Sequence, residues 1–118
     1  MKGRFELDKK FDSIDHDSLF ISEITLAELK FGVANSQNIK KNTVVLNDFL
    51  TGVQILPIFD AIDIYAKEKA RLRNSGKPID DFDLLIGSTA IANELILVTN
   101  NIKHFENLKK IKLENWIK

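Results

Sequence analysis

The sequence predicts an α/β fold in which a small parallel β-sheet is flanked by helices. Three observations support this class: short β-rich runs alternate with longer helical patterns, one strand is apolar throughout, and no repeat or low-complexity tract interrupts the alternation. An apolar strand between helices is typical of a parallel strand that is covered on both faces. A chain of 118 residues is long enough for one hydrophobic core, so we expect a single domain over residues 1–118.

The first half of the chain contains two predicted strands and two predicted helices. Residues 19–24 are β-rich and lead into a helical pattern that begins at Thr25 and ends near Asn35. Apolar residues then recur at helical spacing from Ile39 to Leu50, and a glycine follows them. Residues 53–57 form the second predicted strand.

The second half repeats the alternation. Asp60 is placed to cap a helix that continues to Asn74, before an Asn-Ser-Gly break. A further helix from Asp81 to Asn93 precedes the apolar strand at residues 95–99, and a weaker strand follows near residues 111–113. We expect these parallel strands to be joined by right-handed crossovers.

The helix that begins near Asp81 has the most informative sequence. Pro78 precedes it, Asp80 or Asp81 can cap it, and its first turn is rich in carboxylates, which the helix dipole favours. The apolar run at residues 82–92 predicts that the helix is buried on most faces and that its acidic end opens into a crevice. Because a buried acid needs a partner, a cation is one candidate.

Composition restricts the possible partners and location. Seventeen basic residues balance seventeen acidic ones, so only a local patch could hold nucleic acid. The sequence has no cysteine, which excludes disulfides and thiolate metal sites and fits a reducing cytoplasm. Residues 1–6 have no apolar core for a signal peptide, and no apolar run reaches the roughly 18 residues of a membrane span. We therefore expect a cytoplasmic protein with no membrane partner.

Polar residues at the ends of the predicted strands are the candidates for chemistry. In open α/β sheets ligands bind beyond the carboxyl ends of the strands. Thr25 and Glu28 follow the first strand, Thr99 and Asn101 follow the apolar strand, and Asp83 could face the same crevice. Oxygen ligands in a chain without cysteine favour Mg²⁺ or Mn²⁺.

Each candidate also has a purely structural explanation. Thr25 and Glu28 have the spacing of a capping box, which the pattern alone favours. Asn101 after a strand is an ordinary turn former. His16 and His104 have no second ligand at metal spacing, so we expect both to be solvated. Four aromatic residues lie among apolar neighbours on predicted helices and are expected in the core: Phe31, Phe49, Tyr65 and Phe82.

Three motifs resemble the PIN-domain toxins of the VapC type. They are ISEITLAELKFG at residues 21–32, GKPI at residues 76–79 leading into DLLIG at residues 83–87, and LVTNNIKHF at residues 97–105. Their order and spacing also match, and the resemblance covers residues 5–116. It implies a PIN-like fold, an endoribonuclease activity that depends on Mg²⁺ or Mn²⁺, and a VapB-type antitoxin whose tail blocks the acidic site.

The resemblance assigns roles to four residues. Glu28 and Asp83 match the catalytic acids of the VapC-type toxins. The resemblance therefore implies that they are metal ligands rather than helix caps. Asn101 occupies the polar position of the third motif, with Thr99 beside it, and the two are implied to orient water or phosphate. RNA is the implied substrate, and we also expect the chain to form a homodimer.

One feature of the family does not occur in this sequence. VapC-type proteins open with an apolar strand that ends in an Asp-Thr-Asn motif and supplies the first catalytic aspartate, whereas this sequence begins after it. The acids of residues 8–17 follow no apolar strand and do not replace it. Because two carboxylates and an amide hold a cation more weakly than three carboxylates, we expect impaired RNA cleavage. The alternative is a catalytically inactive PIN-like remnant that binds an antitoxin or another protomer.

The same feature affects the predicted sheet, because the family's first strand lies in its middle. Three alternatives follow. The strand at residues 19–24 could pair directly with the strand at residues 95–99, another chain could complete the sheet, or the fold could be weakened by unpaired backbone groups.

Overall fold

The computed structural model describes residues 19–99 and 101–114 and has the α/β organisation that the sequence predicts. The elements, in chain order, are β1 (Phe20–Ser22), α1 (Glu23–Ala34), α2 (Ile39–Leu50), β2 (Gln54–Leu56), a 3₁₀ helix (Phe59–Ala61), α3 (Ile62–Asn74), α4 (Asp81–Ala92), β3 (Ile96–Val98), α5 (Ile102–Phe105) and β4 (Lys112–Glu114). The chain divides into two compact units, and the boundary falls between Leu56 and Pro57.

The first unit packs α1 and α2 together beside a parallel strand pair. Strand β1 pairs with β2 so that Phe20 lies opposite Gln54 and Ser22 opposite Leu56. Both helices contribute to one buried cluster of Leu29, Val33 and Leu46, and the partly buried Ile21, Phe49 and Leu50 pack against it. The predicted helix at Ile39–Leu50 has the predicted bounds.

The second unit packs α3 and α4 together and carries the other strand pair. Strands β3 and β4 are parallel, with Ile96 opposite Lys112 and Val98 opposite Glu114. Leu72 of α3 and Leu84 of α4 are almost completely buried. In contrast, Ile96 is 56% exposed, so β3 is not covered on both faces as its apolar sequence predicts.

The two ends of α3 are terminated by different local structures. At its N-terminus the 3₁₀ helix takes the place of a cap, so the prediction that Asp60 caps α3 is wrong. At its C-terminus Gly76 adopts a φ of 74°, and the N–H of Lys77 donates to the carbonyl of Leu72 at 2.8 Å. A left-handed glycine with this bond ends the helix as a Schellman motif.

Both strand ladders in the described residues are two-stranded, β1 with β2 and β3 with β4. No helix within the described ranges is long and apolar enough to cross a membrane.

Candidate active site

The N-terminal end of α4 presents acidic side chains at the mouth of a buried helix. Asp80 is the N-cap residue, and its Oδ2 accepts hydrogen bonds from the N–H groups of Phe82 at 3.1 Å and Asp83 at 3.4 Å. This confirms the predicted cap. Most of the helix beyond its first turn is buried, through Leu84, Ile86, Gly87, Ser88, Thr89 and Ala90. The acids of the first turn are therefore carried by a helix that is fixed in the core.

A cleft of about 330 Å³ opens beside this end of α4. Its lining combines apolar residues with two cations and two carboxylates, and consists of Lys69, Leu72, Arg73, Pro78, Ile79, Asp80, Asp81 and Leu84. The predicted crevice at the acidic helix end is therefore present. Asp83, the acid singled out by the family motif, does not line it.

Three polar side chains link α3 to the first turn of α4. The Tyr65 hydroxyl donates to Asp81 Oδ1 at 3.0 Å, while Lys69 Nζ lies 2.9 Å from the same oxygen and 3.1 Å from the Tyr65 hydroxyl. The hydrogen bond from Lys69 lowers the pKa of Asp81, and the same bond raises the pKa of Lys69. Because both charges are exposed, this link orients the helix end more than it stabilises the fold.

Asp83 contacts a histidine that follows β3. His104 Nδ1 lies 3.1 Å from Asp83 Oδ2, although the two residues are far apart in sequence. The side chain of Asp83 is 26% exposed and that of His104 is 59% exposed. His104 is accessible to solvent as predicted, but its pairing with a candidate acid was missed. His16, the other histidine, lies outside the described residues.

The close approach of α4 to the segment that carries His104 depends on a glycine. A Cβ atom at Gly87 would lie 2.5 Å from Leu108 Cδ1 and 3.4 Å from Phe105 Cδ1. Phe105 and Leu108 are both buried. Gly87, one turn beyond Asp83, therefore lets α5 and the following residues pack against α4.

A buried carboxylate holds the same segment from the side of α3. Arg71 donates Nε–H to Glu68 Oε2 and Nη2–H to Glu68 Oε1, both at 2.8 Å, and the N–H of Lys109 donates to Glu68 Oε1 at 2.7 Å. Arg71 also donates to the carbonyl of Asn107 at 2.6 Å. The hydrogen bond from Arg71 is the main reason that the pKa of Glu68 lies below its usual value. This network, which we call the Glu68 latch, connects α3 to residues 107–109.

Thr99 and Asn101 form the turn between β3 and α5. The N–H of Thr99 donates to the Glu114 carbonyl at 3.0 Å, which extends the pairing with β4 by one bond. Thr99 Oγ1 accepts from the N–H of Asn101, also at 3.0 Å, and the Asn101 carbonyl accepts from the N–H of His104 at 2.9 Å. Asn101 precedes α5 without capping it through its side chain. The hydroxyl of Thr99 therefore forms the turn, and Asn101 is exposed.

Glu28 belongs to the first unit, on α1. This helix begins two residues earlier than predicted, because Ser22 is its N-cap and accepts from the N–H of Thr25 at 3.0 Å. The predicted capping box of Thr25 and Glu28 is therefore wrong: Thr25 lies inside the first turn, and Glu28 lies a turn further on. Glu28 is half-buried. Helix capping therefore does not explain why a glutamate occupies this position.

The candidate ligand side chains can be compared with the ligands that Mg²⁺ or Mn²⁺, the ions implied by the motifs, prefer. Asp83 and Glu28 supply carboxylates, which are the hard oxygen ligands that these ions prefer. Across residues 19–99 and 101–114, no three histidine, aspartate or glutamate side chains gather as a metal-binding group. Mg²⁺ usually keeps several waters and takes one or two carboxylates from the protein. Each of the two carboxylates is therefore of a kind that a hydrated hard cation accepts as a ligand.

Comparison with known proteins identifies the family. The model of the PIN domain matches residues 2–111. The chain is 39% identical over 104 residues to Ribonuclease VapC2 of Rickettsia felis, covering 87% of this chain and 78% of that protein. It is 30% identical over 105 residues to the tRNA(fMet)-specific endonuclease VapC of Shigella flexneri, covering 88% and 80% respectively. The chain belongs to the PIN domain family.

Its relatives within that family are VapC ribonucleases, which confirms the resemblance drawn from the three motifs. A solved structure, the DNA-bound VapBC from Salmonella typhimurium, matches with a TM-score of 0.86 at 28% identity, covering 94% of this chain and 84% of that chain. The PIN-like α/β fold is therefore confirmed.

Proposed function

We propose that this chain is the toxin of a VapBC-type toxin–antitoxin pair and acts as an endoribonuclease. The observation that carries the proposal is the position of Asp83 in the first turn of α4, part-exposed and in contact with His104. The 39% identical relative is named a ribonuclease, and another is named an endonuclease specific for tRNA(fMet). We take RNA, including structured RNA such as tRNA, as the substrate class.

The activity depends on Mg²⁺ or Mn²⁺ in this proposal, and Asp83 and Glu28 supply the carboxylates that hold the ion. When bound, the ion activates water and neutralises charge on the phosphate. Asp80 and the fixed body of α4 keep Asp83 in place, and the Ser22 cap does the same for the helix that carries Glu28. Each carboxylate is thus presented from a capped helix.

Asn101 and Thr99 have different roles. Thr99 keeps the backbone of the turn in place through its bond to the N–H of Asn101. The exposed amide of Asn101 can donate to a phosphate oxygen and accept from a water molecule. We assign Asn101 to orienting one of these groups, with Thr99 fixing its backbone.

A VapB-type antitoxin is the proposed protein partner. Support comes from the structural relative, which is a VapBC complex. We also propose that the chain forms a homodimer and that it is located in the cytoplasm. The absence of cysteine supports the proposed location, because it suits a reducing compartment.

The test is RNA cleavage by the purified chain with Mg²⁺ or Mn²⁺. We expect Asp83→Asn and Glu28→Gln each to lower the rate by about 10²–10³, the usual effect of deleting one electrostatic contact in a transition state. Asp63→Asn is the matched control, since Asp63 is an exposed acid in the first turn of α3. Equal cleavage by the Asp83→Asn and Asp63→Asn variants would contradict the assignment.

A second candidate is a weakly active or inactive module that binds an antitoxin or another protomer. It is favoured by the amide at position 101, which holds a cation more weakly than a carboxylate would. The discriminating comparison is between this chain and a version extended by an apolar strand that ends in Asp-Thr-Asn. If the extended version cleaves RNA much faster than this chain, the weakly active or inactive module is supported. If the two cleave at equal rates and Asp83→Asn abolishes cleavage in both, that candidate is refuted.

A further inference from the structure

The contact between His104 and Asp83 joins one ring nitrogen to one carboxylate oxygen. An ionised aspartate can only accept hydrogen bonds, so the bond of 3.1 Å requires the proton on His104 Nδ1. Asp83 Oδ2 is therefore engaged by the imidazole. The contact is made by Oδ2 of the Asp83 carboxylate, and it fixes the plane in which Oδ1 lies.

The backbone that carries His104 is fixed from several directions. The N–H of His104 donates to the Asn101 carbonyl at 2.9 Å. Phe105 and Leu108, which follow it, are buried at 5% and 3% exposure. The Glu68 latch holds residues 107–109 against α3. The imidazole thus approaches Asp83 from a rigid support rather than from a free loop.

The contact is not needed to hold α5 in place. A polar contact between side chains with 26% and 59% exposure contributes little to stability, because water competes for both groups. The packing at Gly87 and the Glu68 latch already join this segment to α4 and α3. The contact between His104 and Asp83 therefore acts mainly on the orientation of the Asp83 carboxylate.

We propose that His104 is a positioning residue for Asp83: its Nδ1–H holds Oδ2 and so orients the carboxylate for divalent-ion binding. The inference rests on the proposed function, because it needs Asp83 to be a ligand. Hydrogen-bonded partners of metal ligands commonly change metal affinity by roughly 10–100-fold when they are removed. His104 would act in that way without touching the ion or the RNA.

Two substitutions separate this role from general packing. In His104→Asn the amide nitrogen can occupy the place of Nδ1, whereas in His104→Gln it reaches the place of Nε2. If Nδ1 is the group that matters, Asn preserves the bond to Asp83 and Gln does not. His104→Ala removes both nitrogens.

The measurement is the Kd for Mn²⁺, obtained from free Mn²⁺ by electron paramagnetic resonance, for wild type and each variant of the full chain. We expect His104→Ala and His104→Gln to raise the Kd about 10-fold or more and His104→Asn to stay near wild type. In an Asp83→Asn background, His104→Ala should change nothing further, because the two residues act as one unit. Unfolding of the metal-free variants at equal denaturant concentrations checks that all are folded.

Three outcomes would overturn the inference. A Kd that is unchanged in His104→Ala while Asp83→Asn raises it refutes the positioning role and leaves the proposed function intact. Tighter binding in His104→Ala would mean that the imidazole competes with the ion. An unchanged Kd in Asp83→Asn would remove Asp83 from the metal site and overturn both the inference and that part of the proposed function.

Discussion

Leu108 lies against the backbone of α4 at Gly87, so closely that a Cβ atom at position 87 would come within 2.5 Å of its Cδ1. Leu108 is only 3% exposed and has little room to move. The glycine of the Asp-x-x-Ile-Gly motif is therefore explained by packing. It sets the distance between the helix that carries Asp83 and the segment that carries His104.

Gly87→Ala should destabilise the protein by about 1 kcal/mol. Overpacking typically costs about 1–3 kcal/mol, and replacing a helical glycine by alanine returns up to about 1 kcal/mol. Equilibrium unfolding in urea measures the difference. In a Leu108→Ala background the obstruction is gone, so the same substitution should become neutral or stabilising; an unchanged penalty there would rule out the contact as its cause.

Asp80→Ala should cost about 1 kcal/mol of stability, since an N-cap side chain typically contributes about 0.5–2 kcal/mol. The loss would come from the unsatisfied N–H groups of Phe82 and Asp83. Asp80→Asn is the matched control, because its side-chain oxygen can still accept from the helix. Urea unfolding of both variants decides the matter, and an equal loss in the two would argue against capping.

The Glu68 latch should make stability depend on pH in the acid range. Arg71 lowers the pKa of Glu68 from an ordinary value near 4.5. A group whose pKa is lower in the folded state adds stability above its unfolded pKa and loses it as pH falls through the folded pKa. Wild type should therefore lose more stability than Glu68→Gln between about pH 5 and the folded pKa.

Unfolding in urea at a series of acid pH values tests this expectation. At neutral pH Glu68→Gln should be the less stable protein, because Arg71 would lose a buried charged partner. The two stability curves should then converge on acidification. Parallel curves would show that Glu68 does not titrate through the latch.

Mg²⁺ or Mn²⁺ should raise the melting temperature, because an ion that binds only the folded state stabilises it by mass action. The double variant Glu28→Gln, Asp83→Asn should lose this response. Asp63→Asn should keep it. Scanning calorimetry with and without the ion gives the comparison, and a double variant that responds like wild type would mean that both ligands are wrongly assigned.

Much of the secondary structure could be predicted because its signals are local. The helix at Ile39–Leu50 has apolar spacing and a stop that depend only on neighbouring residues, and the Asp80 cap follows from the residues just before an apolar run. Ser22 was missed as a cap because β1 runs into α1 without a loop. An apolar residue also need not be buried: Phe31 and Phe82 are 67% and 55% exposed, contrary to the prediction.

The candidate site was predicted only in part, because its contacts depend on the path of the chain. Asp83 could be singled out from its motif. Its contact with His104 depends on how α5 packs against Gly87, which no spacing in the sequence encodes. The role of Glu28 stays a prediction that the variants above can test, and the role of Asn101 stays a prediction from the motif.

Tyr65 is the only tyrosine in the sequence, and its hydroxyl donates directly to Asp81 at the mouth of α4. A phenol that donates to a carboxylate absorbs at a longer near-ultraviolet wavelength than one that is hydrated. The one tyrosine chromophore of the chain thus lies beside the acidic helix end. Any binding event that shifts this turn can be followed optically, without attaching a label.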